Sequence, residues 1–268
     1  MAAMTHLRKK AIWHVKDLLA LGLPYQTRHL HRRAKSEFQV HIKDVGALTL
    51  RPRSTDAAVV SQVFSWQQYD LSRFPQQTQI DDAYRDIIRR GRRPLILDLG
   101  ANNGASARWF AREYSQADIV AVEPDPDNAR ICRLNNEGYP VHVVNAAIGS
   151  TPGSVSLDKP AGTIACTTTR APDGGVPVVT VNQILAVRPG HELFIAKIDI
   201  EGFENDLFAS HTEWAEQASV IIVEPHDWKF PDRNTSRNLQ QTMGRLPFQL
   251  LLSGKNLVYV RIPGRRWG

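Results

Sequence analysis

Leu95-Ile-Leu-Asp-Leu-Gly-Ala-Asn-Asn-Gly104 is a short apolar run that breaks into glycine and asparagine. Leu95, Ile96 and Leu97 follow one another without polar alternation, so the run reads as a strand buried on both faces. Gly100 and Gly104 permit a tight turn and a close approach of backbone to a ligand. A helical pattern from Ser106 to Tyr114 comes next. Strand, glycine turn and helix in this order open an α/β sheet whose ligands lie beyond the carboxyl ends of its strands.

The same grammar continues downstream. Ile119–Val122, Val141–Val144, Leu193–Ile198 and Val220–Val223 read as strands. Helical patterns run from Asp127 to Asn136 and near 203–217. Phe248–Leu252 and Leu257–Val260 flank Ser253-Gly254 as a terminal hairpin would. Fully apolar strands alternating with helices predict a parallel sheet covered on both faces, with an antiparallel pair at its end. The stretch 149–177, rich in Pro, Gly and Thr, reads as loop.

Upstream of Leu95 the pattern differs. Residues 4–35 read as basic helix, with Leu7, Ala11, Val15 and Leu18 forming an apolar stripe. Phe38–Ile42 and Ala47–Leu50 read as a hairpin, Thr55 as the cap of a helix through Ser65, and Asp81–Arg90 as a helix ending at Gly91. The division expected is a helical and hairpin extension over 1–90, serving as a lid or a homodimer contact, and a cofactor-binding domain over 91–268.

Lys and Arg exceed Asp and Glu by 33 to 27, a formal charge of +6, and much of the excess sits at the two ends. Basic ends admit anionic partners, nucleic acid among them, but a solvated basic surface is the favoured explanation. Two cysteines, Cys132 and Cys166, are too few for a disulfide framework or a thiolate zinc site. No apolar run reaches the roughly 18–20 residues needed to cross a bilayer, and residues 11–23 are interrupted by His14, Lys16 and Asp17. The expected location is the cytoplasm.

The glycine loop distinguishes two ligands. A dinucleotide site carries G-x-G-x-x-G, whose middle glycine admits a pyrophosphate. Asn102 occupies that position here, leaving Gly100-x-x-x-Gly104 with Asp98 two residues ahead. This favours a cofactor without pyrophosphate, S-adenosylmethionine, with Asp98, Gly100, Ala101, Asn102 and Gly104 as binding residues. Asp98 is placed to hold the turn or to meet a cationic amino group. Glu123 ends the next strand, where a carboxylate accepts hydrogen bonds from both hydroxyls of a ribose. Asn145 and Ala146 end the third strand, beside the place expected for adenine.

Five blocks in order resemble the FkbM-type methyltransferases: Leu95–Gly104, Val122-Glu-Pro-Asp-Pro126, Asn145-Ala-Ala-Ile-Gly149, Lys197-Ile-Asp-Ile-Glu-Gly-Phe-Glu204 and Val223-Glu-Pro-His226. Ser54–Phe64, with Tyr69 after it, looks like the family's lead-in, so the resemblance covers residues 50–260. It implies a class I methyltransferase fold, Rossmann-like, with a mixed seven-stranded sheet and helices on both faces. It implies S-adenosylmethionine-dependent O-methylation of a small hydroxylated acceptor, either a sugar or glycan intermediate or a polyketide-type natural product. Asn103 departs from the family, where a hydrophobic residue is commoner.

An alcohol is a poor nucleophile, so a base or a metal helps it attack a methyl group. His226 is the leading candidate for general base, since imidazole titrates near working pH. Asp199 ends the fourth strand and is assigned to catalysis and to the cofactor. Lys197 and Glu201 share its spacing of two, and Glu224 either orients His226 or pairs with Lys197. Glu204 reads as a solvated or capping residue. Asp199, Glu224 and His226 are a conceivable cation set, but their spacing fixes no coordination geometry and no metal is assigned. Tyr69 and Trp228 are candidate substrate contacts, and Phe230 a further wall. Two other readings stay open: a nucleic-acid methyltransferase, and a non-catalytic binding module. Against the first, Asp199-Ile-Glu-Gly202 stands where many base-methylating enzymes carry Asn/Asp-Pro-Pro-Tyr/Phe.

Overall fold

The computed structural model describes residues 15–26, 36–158 and 167–264. The basic residues expected on helix before Val15, those from Arg28 to Lys35, Cys166, Arg265 and Arg266 lie outside the described residues. The chain divides into two compact units, Met1–Asp70 and Leu71–Gly268. The helix Gln77–Arg89 packs on the central strands of the second unit.

In the first unit, β1 (Phe38–Ile42) and β2 (Gly46–Leu50) form the expected antiparallel hairpin. Val40, Ile42, Leu48 and Leu50 turn one face inward. Helix covers 15–21, and the short helix Leu23–Gln26 follows. Asp17, Leu21 and Tyr25 face inward, and the Asp17 carboxylate accepts a hydrogen bond from Ser61 at 2.9 Å. The helix expected after Thr55 is two pieces, Asp56–Val60 and a π-helical turn Ser61–Ser65. Thr55 makes no side-chain cap. The fully buried Asp56 instead receives the Arg51 backbone N–H and the Arg51 guanidinium at 2.7–3.0 Å.

The second unit is built on a seven-stranded mixed sheet in the order β12-β13-β11-β10-β3-β4-β5. These strands are β3 (Arg93–Leu99), β4 (Asp118–Val122), β5 (Val141–Val144), β10 (His191–Ile198), β11 (Val220–Val223), β12 (Phe248–Ser253) and β13 (Asn256–Arg261). β3, β4, β5, β10 and β11 run parallel, and β13 is inserted antiparallel between β11 and β12. This is the sheet the family resemblance implies. From β3 the chain steps outward through β4 to β5, then returns to β10 on the other side of β3 and continues to β11. Right-handed crossovers therefore put helices on opposite faces, and the crevice opens where the direction reverses, beyond the ends of β3 and β10.

Two regions differ from expectation. Residues 149–177 hold most of a second sheet, in the order β6-β9-β7-β8, formed by β6 (Ala147–Ile148), β7 (Gly153–Asp158), β8 (Thr167–Arg170) and β9 (Val176–Val179). Its threonines and valines are strand formers whose alternation is too short to outweigh the local glycines and prolines in a sequence reading. The segment 203–217 is a four-residue helix, Glu204–Leu207, and a separate 3-10 turn, Thr212–Glu216. His211 sits in the left-handed region at φ 55° and ends any continuous helix there. The break lets Phe208 and Trp214 meet in the core at 5.4 Å.

Candidate active site

The turn after β3 is closed by its neighbours. The Gly100 and Ala101 N–H groups both donate to the Val122 carbonyl, at 2.9 and 3.1 Å. Gly100 has φ +81°, and a Cβ there would stand 1.8 Å from the Asp199 carbonyl oxygen. Gly104, also at φ +81°, would put a Cβ 2.3 Å from Asn136 Nδ2 and 2.8 Å from Cys132 Sγ. The two glycines thus serve two packing contacts, one to the end of β10 and one to the helix Pro126–Asn135. Asn103, the departure from the family pattern, is fully buried and its Oδ1 accepts the Ala105 N–H at the start of the helix Ala105–Glu113.

Asp98 is fully buried. Its carboxylate accepts from Ser106 Oγ at 2.6 Å and pairs with the Lys197 ammonium at 3.0 Å. Lys197 also donates to the Gly100 carbonyl at 2.7 Å. Residues 98 and 197 are direct partners in the β3–β10 register, so adjacent strands deliver both charges to one point. The amino group that Asp98 meets is therefore the protein's own.

Glu123 is 5% exposed. Its Oε2 accepts the Asn102 N–H at 2.9 Å, and its Oε1 accepts from Asp125 N–H and Asn128 Nδ2, each at 3.1 Å. Burial pushes this carboxyl above the usual carboxylate range, against the pull of the three donors. Asn145 donates to the Glu123 and Pro124 carbonyls at 2.9 and 3.0 Å. Ala146 is buried beside it.

The ends of β10 and β11 carry the second cluster. His226 is 2% exposed, and its Nδ1 lies 2.8 Å from Oε1 of Glu204, which is fully buried. Its Nε2 is 3.6 Å from Asp199 Oδ1 and 3.4 Å from Glu201 Oε2. Lys229 holds the same Glu201 oxygen at 2.8 Å. Burial works against the imidazolium, but Glu204, Asp199 and Glu201 outweigh it and push the His226 pKa up to about 9. The helix bearing Glu204 is anchored at Asp206, whose carboxylate takes a forked pair from Arg170 of β8 at 2.8 and 2.9 Å.

Residues 98–250 match the Methyltransferase FkbM domain, beginning at the turn aspartate and running into β12. The chain belongs to the FkbM methyltransferase family. The cofactor that goes with this family is S-adenosylmethionine. Among curated relatives, a 2-O-methyltransferase, NoeI, of Sinorhizobium fredii is 45% identical over 42 residues, 16% of this chain and 17% of its own length. A hexuronic acid methyltransferase, AglP, of Haloferax volcanii is 24% identical over 136 residues, 49% of this chain and 56% of its own. The chain therefore spans little more than half of the longer-matching relative. Among solved structures, the O-methyltransferase TomG of Streptomyces achromogenes in complex with S-adenosylmethionine is 15% identical, with 69% of this chain and 80% of that one covered and a TM-score of 0.39.

In this FkbM-family chain the expected site residues fall into three places. Asp98, Gly100, Ala101, Asn102, Gly104, Glu123, Asn145 and Ala146 line the ends of β3, β4 and β5. Asp199, Glu201 and His226 meet beyond β10 and β11. Tyr69 belongs to the first unit, where it is buried. Three pairings differ from the sequence reading. Lys197 takes Asp98, and Glu224 takes Lys255 at 3.2 Å. Burial and the nearby Asp199 charge raise the Glu224 pKa, against the pull of Lys255. The orienting partner of His226 is Glu204, which is neither solvated nor a cap. Trp228 is 69% exposed with Lys255 Nζ 5.8 Å from its ring centre, and the Phe230 ring covers Gly202.

The donor set suits S-adenosylmethionine on one chemical ground. A carboxylate offers about four lone-pair positions, and three donors engage Glu123. Oε2 takes one of them and keeps acceptor capacity for a ribose hydroxyl. Because both oxygens already accept, Glu123→Gln forces an NH2 group against an N–H donor. Calorimetry is expected to find S-adenosylmethionine binding weakened at least about tenfold in that variant, the loss of one charge-assisted hydrogen bond. Wild-type affinity would show that Glu123 serves the loop alone.

Proposed function

We propose that this chain is an S-adenosylmethionine-dependent O-methyltransferase acting on a hydroxyl of a small acceptor, a sugar or glycan intermediate ahead of a polyketide-type product. The observation that carries this reading is the position of Asp199. Its backbone carbonyl abuts Gly100 of the cofactor turn, while its side chain faces His226. One residue thereby joins the turn to the polar cluster. When bound, the cofactor supplies an electrophilic methyl on sulfonium; transfer to a hydroxyl breaks one C–S bond, forms one C–O bond and releases one proton.

The chain's own residues have two tasks, to aim the hydroxyl and to draw off its proton. His226, held by Glu204 and facing Asp199 and Glu201, is the group proposed to act on that hydroxyl. Lys197 and Asp98 hold the turn, and the exposed Trp228 offers an aromatic face to a sugar ring. The preference for a sugar follows the hexuronic acid methyltransferase among the chain's relatives, and that for oxygen the 2-O-methyltransferase.

The test is mass spectrometry of reactions containing the purified protein, S-adenosylmethionine and a panel of hexuronic acids, neutral glycans and phenols. A product one methylene heavier, formed on oxygen, is expected with the sugars. His226→Gln is expected to lower kcat by about 100-fold or more with cofactor affinity kept, as loss of a group that acts on the reacting hydroxyl does. Transfer to nitrogen only, or an undiminished kcat in His226→Gln, would overturn the assignment.

A further inference from the structure

Asp199, Glu201 and His226 each bring one ligand atom into a group whose members all lie within 4.8 Å of one another. We propose that these three side chains bind a divalent cation of the Mg2+ or Mn2+ class, with Glu204 holding the imidazole in place. Whether the cation binds is independent of the reaction. What it does there rests on the methyl-transfer reading above: with Nε2 on the cation, His226 acts on the acceptor hydroxyl through the cation, which draws the hydroxyl in and increases its acidity, rather than by taking the proton itself.

Four observations converge on the site. First, Glu204 fixes the ring. Its carboxylate accepts, so Nδ1 carries an N–H, and a cation would take the place of the second ring proton on Nε2. A carboxylate on the far nitrogen is the usual support of a metal-bound histidine. Second, Nε2 points between two carboxylate oxygens at 3.4 and 3.6 Å. These separations exceed an ordinary charge-assisted hydrogen bond of about 2.7–2.9 Å. At bond lengths of about 2.1 Å, octahedral ligands stand about 3.0 Å apart as neighbours and about 4.2 Å apart as opposites, which brackets these two nitrogen–oxygen distances. Third, the ring is 2% exposed, so its aim is set by packing. Fourth, among the described residues three carboxylates, Asp199, Glu201 and Glu204, lie around one imidazole, with the Lys229 ammonium on Glu201. The second oxygen of Glu204 is buried with no hydrogen-bond partner among the described residues. Asp199 and Glu201 are 30% and 29% exposed, so an ion from solvent can reach this excess of negative charge.

The ligand set also selects the ion. Two carboxylates and one imidazole, with no thiolate, favour a hard or borderline cation. The set differs from the one conceivable by sequence spacing, because Glu201 replaces Glu224, which is engaged by Lys255. Glu201 reaches the cluster through a backbone in the left-handed region, φ 55°, followed by Gly202 at φ +97°.

The experiment is a Mn2+ titration of the full-length protein loaded with S-adenosylhomocysteine, read by electron paramagnetic resonance. One Mn2+ per chain is expected, with a pulsed-resonance coupling to a histidine nitrogen that disappears in His226→Gln. Asp199→Asn and Glu201→Gln are each expected to weaken Mn2+ at least about tenfold, and Glu204→Gln about 10–100-fold, the usual effect of losing an outer partner. Asp82→Asn, on the exposed face of another helix, serves as the control and should leave affinity unchanged. Retained binding of S-adenosylhomocysteine shows that a variant is folded. Absence of Mn2+ binding at millimolar concentration in protein that still binds S-adenosylhomocysteine would overturn the cation site. So would bound Mn2+ without the nitrogen coupling, or one indifferent to Glu201→Gln. Failure to form any methylated product would overturn the reaction instead and leave the Mn2+ result standing.

Discussion

Gly100→Ala is expected to cost the protein more than about 3 kcal/mol of stability and to abolish binding of S-adenosylmethionine. The added Cβ would stand 1.8 Å from the Asp199 carbonyl oxygen, far inside contact distance. That oxygen belongs to backbone at the end of β10, whose N–H donates to Leu99 at 3.0 Å, so it cannot swing aside like a side chain. Relief requires β3 and β10 to part where the crevice opens. The backbone angle adds its own penalty, since φ +81° is strained for alanine by about 1–2 kcal/mol. Gly138→Ala separates the two contributions. Gly138 has φ +80°, but nothing lies within 4 Å of a Cβ there. It should therefore lose only the backbone part, about 1–2 kcal/mol, and keep cofactor affinity. Equal melting temperatures for the two variants would show that the approach of Gly100 to Asp199 matters neither for stability nor for the site.

The strand–turn–helix unit was legible in sequence because its causes are local. An apolar run, two glycines and an amphipathic helix have to be adjacent to form this turn at all. The reason for Gly100 was only half legible: conformational freedom follows from the residue type, but contact with Asp199 depends on a strand 100 residues away. The same distance hid Glu204. It follows Gly202-Phe203, a setting that suggests a helix start, and nothing local tells that it is fully buried against an imidazole 22 residues on. Lys197 was visible as a charge on a central strand that needed a partner. Which partner is a matter of register, and only pairing of β3 with β10 sets Asp98 opposite it. The sheet of β6 to β9 escaped for another reason. Its strands are at most six residues long, and glycine and proline between them carry a stronger local signal than the strands themselves.

Lys197→Met is expected to destabilise the protein by about 3–5 kcal/mol, the usual cost of leaving one member of a buried ion pair alone. Asp98 is fully buried and Lys197 is 2% exposed, so water cannot replace either partner. Among the described residues, Ser106 Oγ would remain on the carboxylate. The double variant Asp98→Leu with Lys197→Met divides the pair's two roles. Removing both charges removes the desolvation cost, so stability should recover to within about 1–2 kcal/mol of wild type. Cofactor affinity should not recover, because Lys197 also donates to the Gly100 carbonyl at 2.7 Å and an apolar pair cannot. Chemical denaturation and calorimetry on wild type, the two single variants Asp98→Leu and Lys197→Met, and the double variant give both readings. If the double variant is as unstable as the sum of its parts, the charges are not coupled. If it binds S-adenosylmethionine like wild type, the pair does not position the turn. The expected split, stability regained and binding lost, would mean that the pair is retained for the shape it imposes on Gly100 and the backbone beside it, which two apolar side chains can replace in packing but not in geometry.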